Sequence, residues 1–241
     1  MPVSRSKRSK KVAATRRKKR LPEAKYPMYV ELRANALNIL RDDPHFLTSL
    51  KVGRAMNAVN FSRRVTHDYM GQTSSVAKRQ LLRSTLVTGG YLYEGFLLLE
   101  SLSLKYASKG SFSMCMELIG PSYKNDRKVL QLMRNNVAFH LDSDDKSTKE
   151  ALTTIELGKY NYLSVESEKV DSIYFDFADE LEWNFVFAKA AQPDHRPDDT
   201  VEHVISLIDS GADAFASACF YFLEGLRQMS GHPELFTIKY K

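Results

Sequence analysis

Tyr91-Leu92-Tyr93-Glu94-Gly95-Phe96-Leu97-Leu98-Leu99 is apolar at nearly every position. It lies inside a longer segment, residues 75 to 106, whose apolar spacing predicts a single helix. A surface helix carries one apolar stripe; a helix that is apolar on almost every side belongs at the centre of a bundle. Gly89, Gly90 and Gly95 interrupt it, each at a cost of ~1 kcal/mol of helix propensity relative to alanine. Their presence predicts close approach of another backbone, within the chain or across a dimer. Glu94 is the odd residue, with Gly90, Tyr91, Leu97 and Leu98 as its helical neighbours. A carboxylate there needs a donor. Either it pairs with or orients Arg134 or His140, or it forms a structural ion pair or a tyrosine hydrogen bond, or it is exposed at a groove.

The flanking sequence keeps the helical period. Met28, Leu32, Ala36, Ile39 and Leu40 form a stripe that stops at Asp42-Asp43-Pro44. A second helix is predicted from His45 to Met70. A fourth is predicted to start near Pro121, a favoured first-turn residue, with Val129, Met133, Val137 and Leu141 as its apolar line. Tyr160, Tyr162 and Val165, then Ile173, Phe175 and Phe177, alternate with period two, which predicts a short hairpin across residues 166–169. Helix is expected again over 178–191. Gln192-Pro193-Asp194-His195-Arg196-Pro197 breaks it, and a last long helix is expected over 200–229. The fold class is therefore an all-α helical bundle with a small β-hairpin insert. No repeat or second-domain boundary is visible, so residues 26–241 are read as one domain behind a basic, disordered tail at 1–25.

Charge is concentrated in that tail. Residues 1–20 hold ten Lys or Arg and no acid, which leaves 25 basic against 29 acidic residues in the remainder. Arg16, Arg17, Lys18, Lys19 and Arg20 are its densest part and the candidate nucleic-acid-binding residues, since a basic arm neutralises phosphates. The competing reading is a solvated tail that aids solubility. The two cysteines, Cys115 and Cys219, make no disulfide framework and no metal cluster, which fits a reducing, cytoplasmic setting. No apolar run reaches membrane-spanning length and no signal-peptide core is present. There is no Gly-rich phosphate loop and no Gly-x-Ser-x-Gly motif, so neither nucleotide hydrolysis nor serine hydrolase chemistry is indicated. Asp142-Ser143-Asp144-Asp145 lacks the glycine and terminal glutamate of a calcium loop. No cofactor and no metal is expected.

The chemistry-bearing stretch is Met133-Arg134-Asn135-Asn136-Val137-Ala138-Phe139-His140. Arginine grips phosphate oxygens in a bidentate fork, and histidine suits proton transfer near neutral pH. Asn135, with Asn136 as second choice, can orient phosphate or histidine. On a straight helix Arg134 and His140 are ~120° and ~9 Å apart, so a compact site needs a kink near Asn135-Asn136 or a second copy of the helix about a two-fold axis. The other histidines are weaker candidates: His195 and His203 flank a helix start, and His45, His67 and His232 are read as exposed or turn-associated. The plain alternative is a core His140 and a surface Arg134 in an ordinary bundle.

Arg134, Asn135 and His140, five residues separating Arg from His within a helical chain, resemble the HEPN superfamily. The likeness covers about residues 28–229, but only the motif is specific. It implies a dimerising helical bundle and a metal-independent endoribonuclease, often a toxin or anti-phage effector, with its site at the dimer interface. It also implies RNA as partner and, for toxins, an antitoxin or regulatory protein. The tyrosine that one toxin branch places two residues after the histidine is absent; position 142 is Asp. The expected catalytic set is Arg134, Asn135 and His140, supported by Asn136 and Glu94, giving a 2′,3′-cyclic phosphate. The alternatives are a non-catalytic RNA- or DNA-binding module and a helical protein-interaction scaffold.

Overall fold

The computed structural model describes residues 29–106, 110–135, 149, 152–153, 164–165, 173–174, 185–186, 190 and 197–239. In chain order these give strand β1 (Tyr29–Leu32), short helix α1 (Ala36–Leu40) and helices α2 (Pro44–Tyr69), α3 (Ser75–Tyr106) and α4 (Gly110–Met133). Strands β2 (Ser164–Val165) and β3 (Ile173–Tyr174), helix α5 (Pro197–Met229), a 3-10 turn (Pro233–Leu235) and strand β4 (Phe236–Lys239) follow.

α2 to α5 make an up-down-up-down four-helix bundle. Helix α2 is launched by Asp43, whose Oδ1 accepts from the backbone N–H of His45 at 2.7 Å and of Phe46 at 3.3 Å, with Pro44 in the first turn. Contacts along the helices fix their directions. Thr66 meets Ser84 and His45 meets Tyr106, so α2 and α3 are antiparallel. Tyr106 stacks on Phe112 at 5.0 Å between ring centroids, and Phe112 meets Phe222 at 4.5 Å. Helices α3 and α5 run parallel across the diagonal, where Phe96 meets Phe215 edge-on at 5.6 Å. Leu92, Phe96, Leu99, Phe215, Phe222 and Leu226 are buried along this diagonal. The apolar middle of α3 is thus the bundle's centre, as its sequence predicts.

Within the chain, Gly89 and Gly95 of α3 answer to side chains and not to another backbone, which corrects that part of the expectation. A Cβ on Gly95 would run into the ring of Phe215, whose Cε2 would lie at 2.7 Å. A Cβ on Gly89 would meet Met133 and, at 3.0 Å, Ile208 Cδ1. Both residues admit core side chains from neighbouring helices of the same chain.

Two boundaries move. The stripe from Met28 to Leu40 is not one helix: Tyr29–Leu32 pairs antiparallel with β4, Tyr29 opposite Lys239 and Leu32 opposite Phe236. The Arg33 N–H extends this by donating to Leu235 O at 2.9 Å. Helical spacing of apolar residues in so short a stretch was overridden by a partner strand some 200 residues away. Helix α4 begins at Gly110, not near Pro121, because Phe112, Cys115 and Ile119 are already buried at helical spacing. Pro121 lies inside the helix, where it removes one backbone donor. Helix α5 starts at Pro197, three residues before the expected 200, and ends at Met229 as expected. The expected hairpin exists in shorter form, Ser164 opposite Tyr174 and Val165 opposite Ile173. Of the expected helix over 178–191, Phe185, Val186 and Ala190 are helical and the rest lies outside the described residues.

Between α2 and α3 the contact is polar. Ser62, Thr66, Ser84, Thr85 and Thr88 are buried. Most of their hydroxyls bond carbonyls one turn back on their own helix, and Thr66 Oγ1 also donates to Ser84 Oγ at 3.0 Å. Each is satisfied, so the seam carries no desolvation penalty of the unpaired kind.

The two glycines should respond differently to alanine. Gly95→Ala must displace a rigid buried ring, and overpacking of this kind costs ~1–3 kcal/mol, more than the ~1 kcal/mol gained in helix propensity. Gly89→Ala meets mainly the flexible thioether of Met133, which can turn aside. Urea denaturation should show Gly95→Ala clearly destabilised and Gly89→Ala near the parent; the reverse order would contradict this packing.

Candidate functional site

Met133, fully buried, is the last residue of α4, and beyond it residues 134 and 135 widen into a π-type turn. Such turns are frequent at functional sites. Packing of Met133 onto Gly89 fixes the end of α4 beside the middle of α3, so Arg134 emerges opposite Glu94. The Arg134 Nε–H donates to Glu94 Oε1 at 2.6 Å, and Nη1 donates to Asn135 Oδ1 at 3.0 Å. Arg134 and Glu94 side chains are 32% and 46% exposed. An ion pair this open contributes little to stability, ~0–1 kcal/mol; its effect is to aim the guanidinium. Arginine has five N–H donors. Two are engaged, and the three that remain can fork onto a phosphate.

Of the residues singled out from sequence, the structure brings together Arg134, Asn135 and Glu94. His140 and Asn136 lie outside the described residues, as do Arg16, Arg17, Lys18, Lys19 and Arg20.

A second polar cluster was not anticipated. Arg63 Nε donates to Asp209 Oδ1 at 2.7 Å and its Nη1 to Asp213 Oδ1 at 2.6 Å, while His67 Nε2 is 2.7 Å from Asp209 Oδ1. His67 is exposed, as its sequence context predicts, and is paired with Asp209. Burial alone would raise the Asp209 pKa, but the hydrogen bonds and charges of Arg63 and His67 outweigh it and hold Asp209 below the ordinary carboxylate value. The signal was present in the sequence as two pairs four residues apart, Arg63 with His67 and Asp209 with Asp213, which place complementary groups on facing helical surfaces. His45 is likewise engaged, its Nδ1 3.2 Å from Tyr106 Oη. Asp126 is raised by burial, against the opposing charge of His203 on the facing helix.

A cavity of about 300 Å³ lies under the β1–β4 ladder, walled by Phe46, Phe220, Leu223 and Phe236, with His45 and Arg227 at its polar edge. Arg227 grips both oxygens of Glu224, at 2.8 and 2.6 Å, and this hydrogen bonding holds Glu224 below the ordinary value against its partial burial. The cysteines are buried. Cys115 Sγ lies 3.3 Å from Ala218 O, and burial pushes its thiol up to about 11 and raises Cys219 too. Neither is poised as a nucleophile.

Comparison of the chain with protein-family models, curated proteins and solved structures finds no match. Among the described residues no helix is long and apolar enough to cross a membrane.

Asp209 offers a pH test. A carboxylate whose folded pKa is depressed adds stability above its unfolded value, about 4, and loses it as pH falls through the folded value. Asp209→Asn should therefore be modestly less stable than the parent at pH 7, with the gap closing towards pH 3. A gap that stays constant with pH in urea titrations would show that the ion pairs with Arg63 and His67 contribute nothing.

Proposed function

We propose that the chain is a metal-independent endoribonuclease of the HEPN type, working as a homodimer. The observation that supports this reading most is the ordered run Glu94, Arg134, Asn135 at the point where α4 opens into its π turn. It gives the motif arginine a fixed direction and leaves part of its donor set for a ligand. The remaining element, His140, follows five residues after Asn135. In the proposed mechanism His140 takes the proton of a ribose 2′-hydroxyl, or returns one to the leaving 5′-oxygen. The 2′-oxygen attacks the adjacent phosphorus and the P–O5′ bond breaks, leaving a 2′,3′-cyclic phosphate and a 5′-hydroxyl. Arg134 stabilises the charge that builds on the non-bridging oxygens, and Asn135 and Glu94 position Arg134. A two-fold contact between copies brings two such sets to one cleft. The basic residues Arg16 to Arg20 raise the local concentration of RNA. An antitoxin or regulatory protein and a cytoplasmic location belong to the same proposal.

Purified protein should cut RNA in EDTA. Arg134→Ala and His140→Ala should each abolish cutting while leaving the melting temperature near the parent. Glu94→Gln keeps an acceptor but loses the charge, so it should lower kcat about tenfold with little change in KM. Mixing the Arg134→Ala and His140→Ala proteins should restore part of the activity if a site takes its Arg and His from different chains. Full activity in His140→Ala would refute the assignment.

Removing residues 1–20 should weaken RNA binding and flatten its salt dependence while leaving the melting temperature unchanged. A salt slope that does not move would make the tail a spectator.

A further inference from the structure

The bundle's own charge is as uneven as that of the whole chain. Between residues 44 and 93, which span α2 and most of α3, there are seven Lys or Arg and a single acid, Asp68. The rest of the chain beyond residue 20 holds 18 basic and 28 acidic residues. One of the seven, Arg63, is turned inward to Asp209 and Asp213. Lys51, Arg54 and Arg64 are exposed on α2, and among the described residues none of the three is in an ion pair. Lys78, Arg79 and Arg83 follow on the first turns of antiparallel α3, brought alongside by the Thr66–Ser84 hydrogen bond.

In the middle of this positive surface stands Phe61, 71% exposed. At ~100° per residue, Arg54, Asn57, Phe61 and Arg64 fall within about 80° of one another, on the side of α2 opposite the buried Val59. Among the described residues Phe61 is the most exposed large apolar side chain on α2, ahead of Leu47 and Leu50 at 44% and 49%. Basic side chains flanking an exposed ring, with an amide beside it, form the arrangement that holds single strands: cations follow the phosphates, the ring stacks an unpaired base and the amide can reach a base edge. A duplex offers no open base to stack. A second copy of the chain would set Lys51, Arg54 and Arg64 near their own like charges, with Asp68 as the one acid on α2 to offset them, so self-association through this face is electrostatically disfavoured.

The face also has a useful position. Phe61 is two residues from Arg63, which bonds Asp209; the adjacent Ile208 packs at Gly89 beside Met133, next to Arg134. Phe61 and Arg134 therefore stand at the same height of the bundle, on helices at opposite flanks of the α3–α5 diagonal, and the basic first turns of α3 lie beside the end of α2 beyond Thr66.

We infer that the outer face of α2, Phe61 with Arg54, Asn57 and Arg64, is a docking surface for single-stranded RNA. The choice of RNA over DNA rests on the reading given under Proposed function; the surface itself does not depend on cleavage. The test uses the full chain carrying His140→Ala, in EDTA, with fluorescence anisotropy of a labelled twelve-nucleotide RNA, the DNA strand of the same sequence and the RNA duplex. Phe61→Ala should weaken binding of the single-stranded RNA about tenfold and leave duplex binding unchanged, while Phe61→Trp should retain the affinity. Arg54→Gln with Arg64→Gln should reduce the slope of log affinity against log salt by about 1.4, two phosphate contacts at roughly 0.7 each. RNA carrying 4-thiouridine should crosslink to the α2 peptide. Unchanged RNA affinity in Phe61→Ala would overturn the surface. Equal affinity for the DNA strand would overturn the assignment to RNA. A halved mass in light scattering on Phe61→Ala would show a self-interface and overturn it as well. Cutting by the chain with native His140 is scored separately: RNA binding that depends on Phe61 without any cutting would refute the nuclease and leave the docking surface standing.

Discussion

The ring of Phe215 lying on the bare backbone of Gly95 is the contact on which the bundle depends. It sets how closely α3 and α5 approach across the diagonal, and that spacing decides whether α2 and α4 can seal the two flanks. Were there a Cβ at residue 95, the diagonal would open and the apolar residues along it would lose contact. The second small residue, Gly89, performs a similar service one and a half turns earlier for Met133. Through it the core reaches the end of α4, because the residue after Met133 is the arginine that meets Glu94.

Polar groups are sorted by the same geometry. Helices α2 and α5 face each other through Arg63, His67, Asp209 and Asp213, an ion cluster that consumes charge of both signs. Helices α2 and α3 meet through hydroxyls that bond carbonyls of their own helices, with Thr66 and Ser84 joined across the seam. What remains on the outside of α2 is then Lys51, Arg54 and Arg64 against the single acid Asp68, with Leu47, Leu50 and Phe61 exposed among them. An exposed aromatic and a cationic surface thus follow from where the acids are used up, not only from how many bases the sequence contains.

Much of the fold was legible because its helices are long. Residues 75–106 and 45–70 keep one period over many turns, and the observed ends of α3 and α2 differ from the expected ones by at most one residue. Short elements were not legible. Tyr29–Leu32 owes its extended form to Phe236–Lys239, and nothing local announces a partner that distant. Pro121 reads as a start because proline favours first turns, yet the burial of Phe112, Cys115 and Ile119 starts the helix eleven residues earlier and carries it through the proline. At the candidate site, the pairing of Glu94 with Arg134 was one of several readings open from sequence, since a carboxylate among apolar neighbours calls for a donor but does not name it. The cluster of Arg63, His67 and Asp209 went unread because its members are about 145 residues apart, and spacing along each helix becomes informative only once the two helices are known to face.

The four-residue ladder of β1 and β4 has a mechanical consequence. Its outermost pair is Tyr29 with Lys239, and its innermost is Leu32 with Phe236. A force applied between the leading segment before Tyr29 and the trailing end after Lys239 loads that outermost pair first and parts the strands one pair at a time, like a zipper. The helical bundle is strained only after the ladder has opened. The ladder therefore acts as a weak clasp in series with a strong body, and traction on either end, as by a protease that unravels its substrates, would undo the clasp before it reached the core.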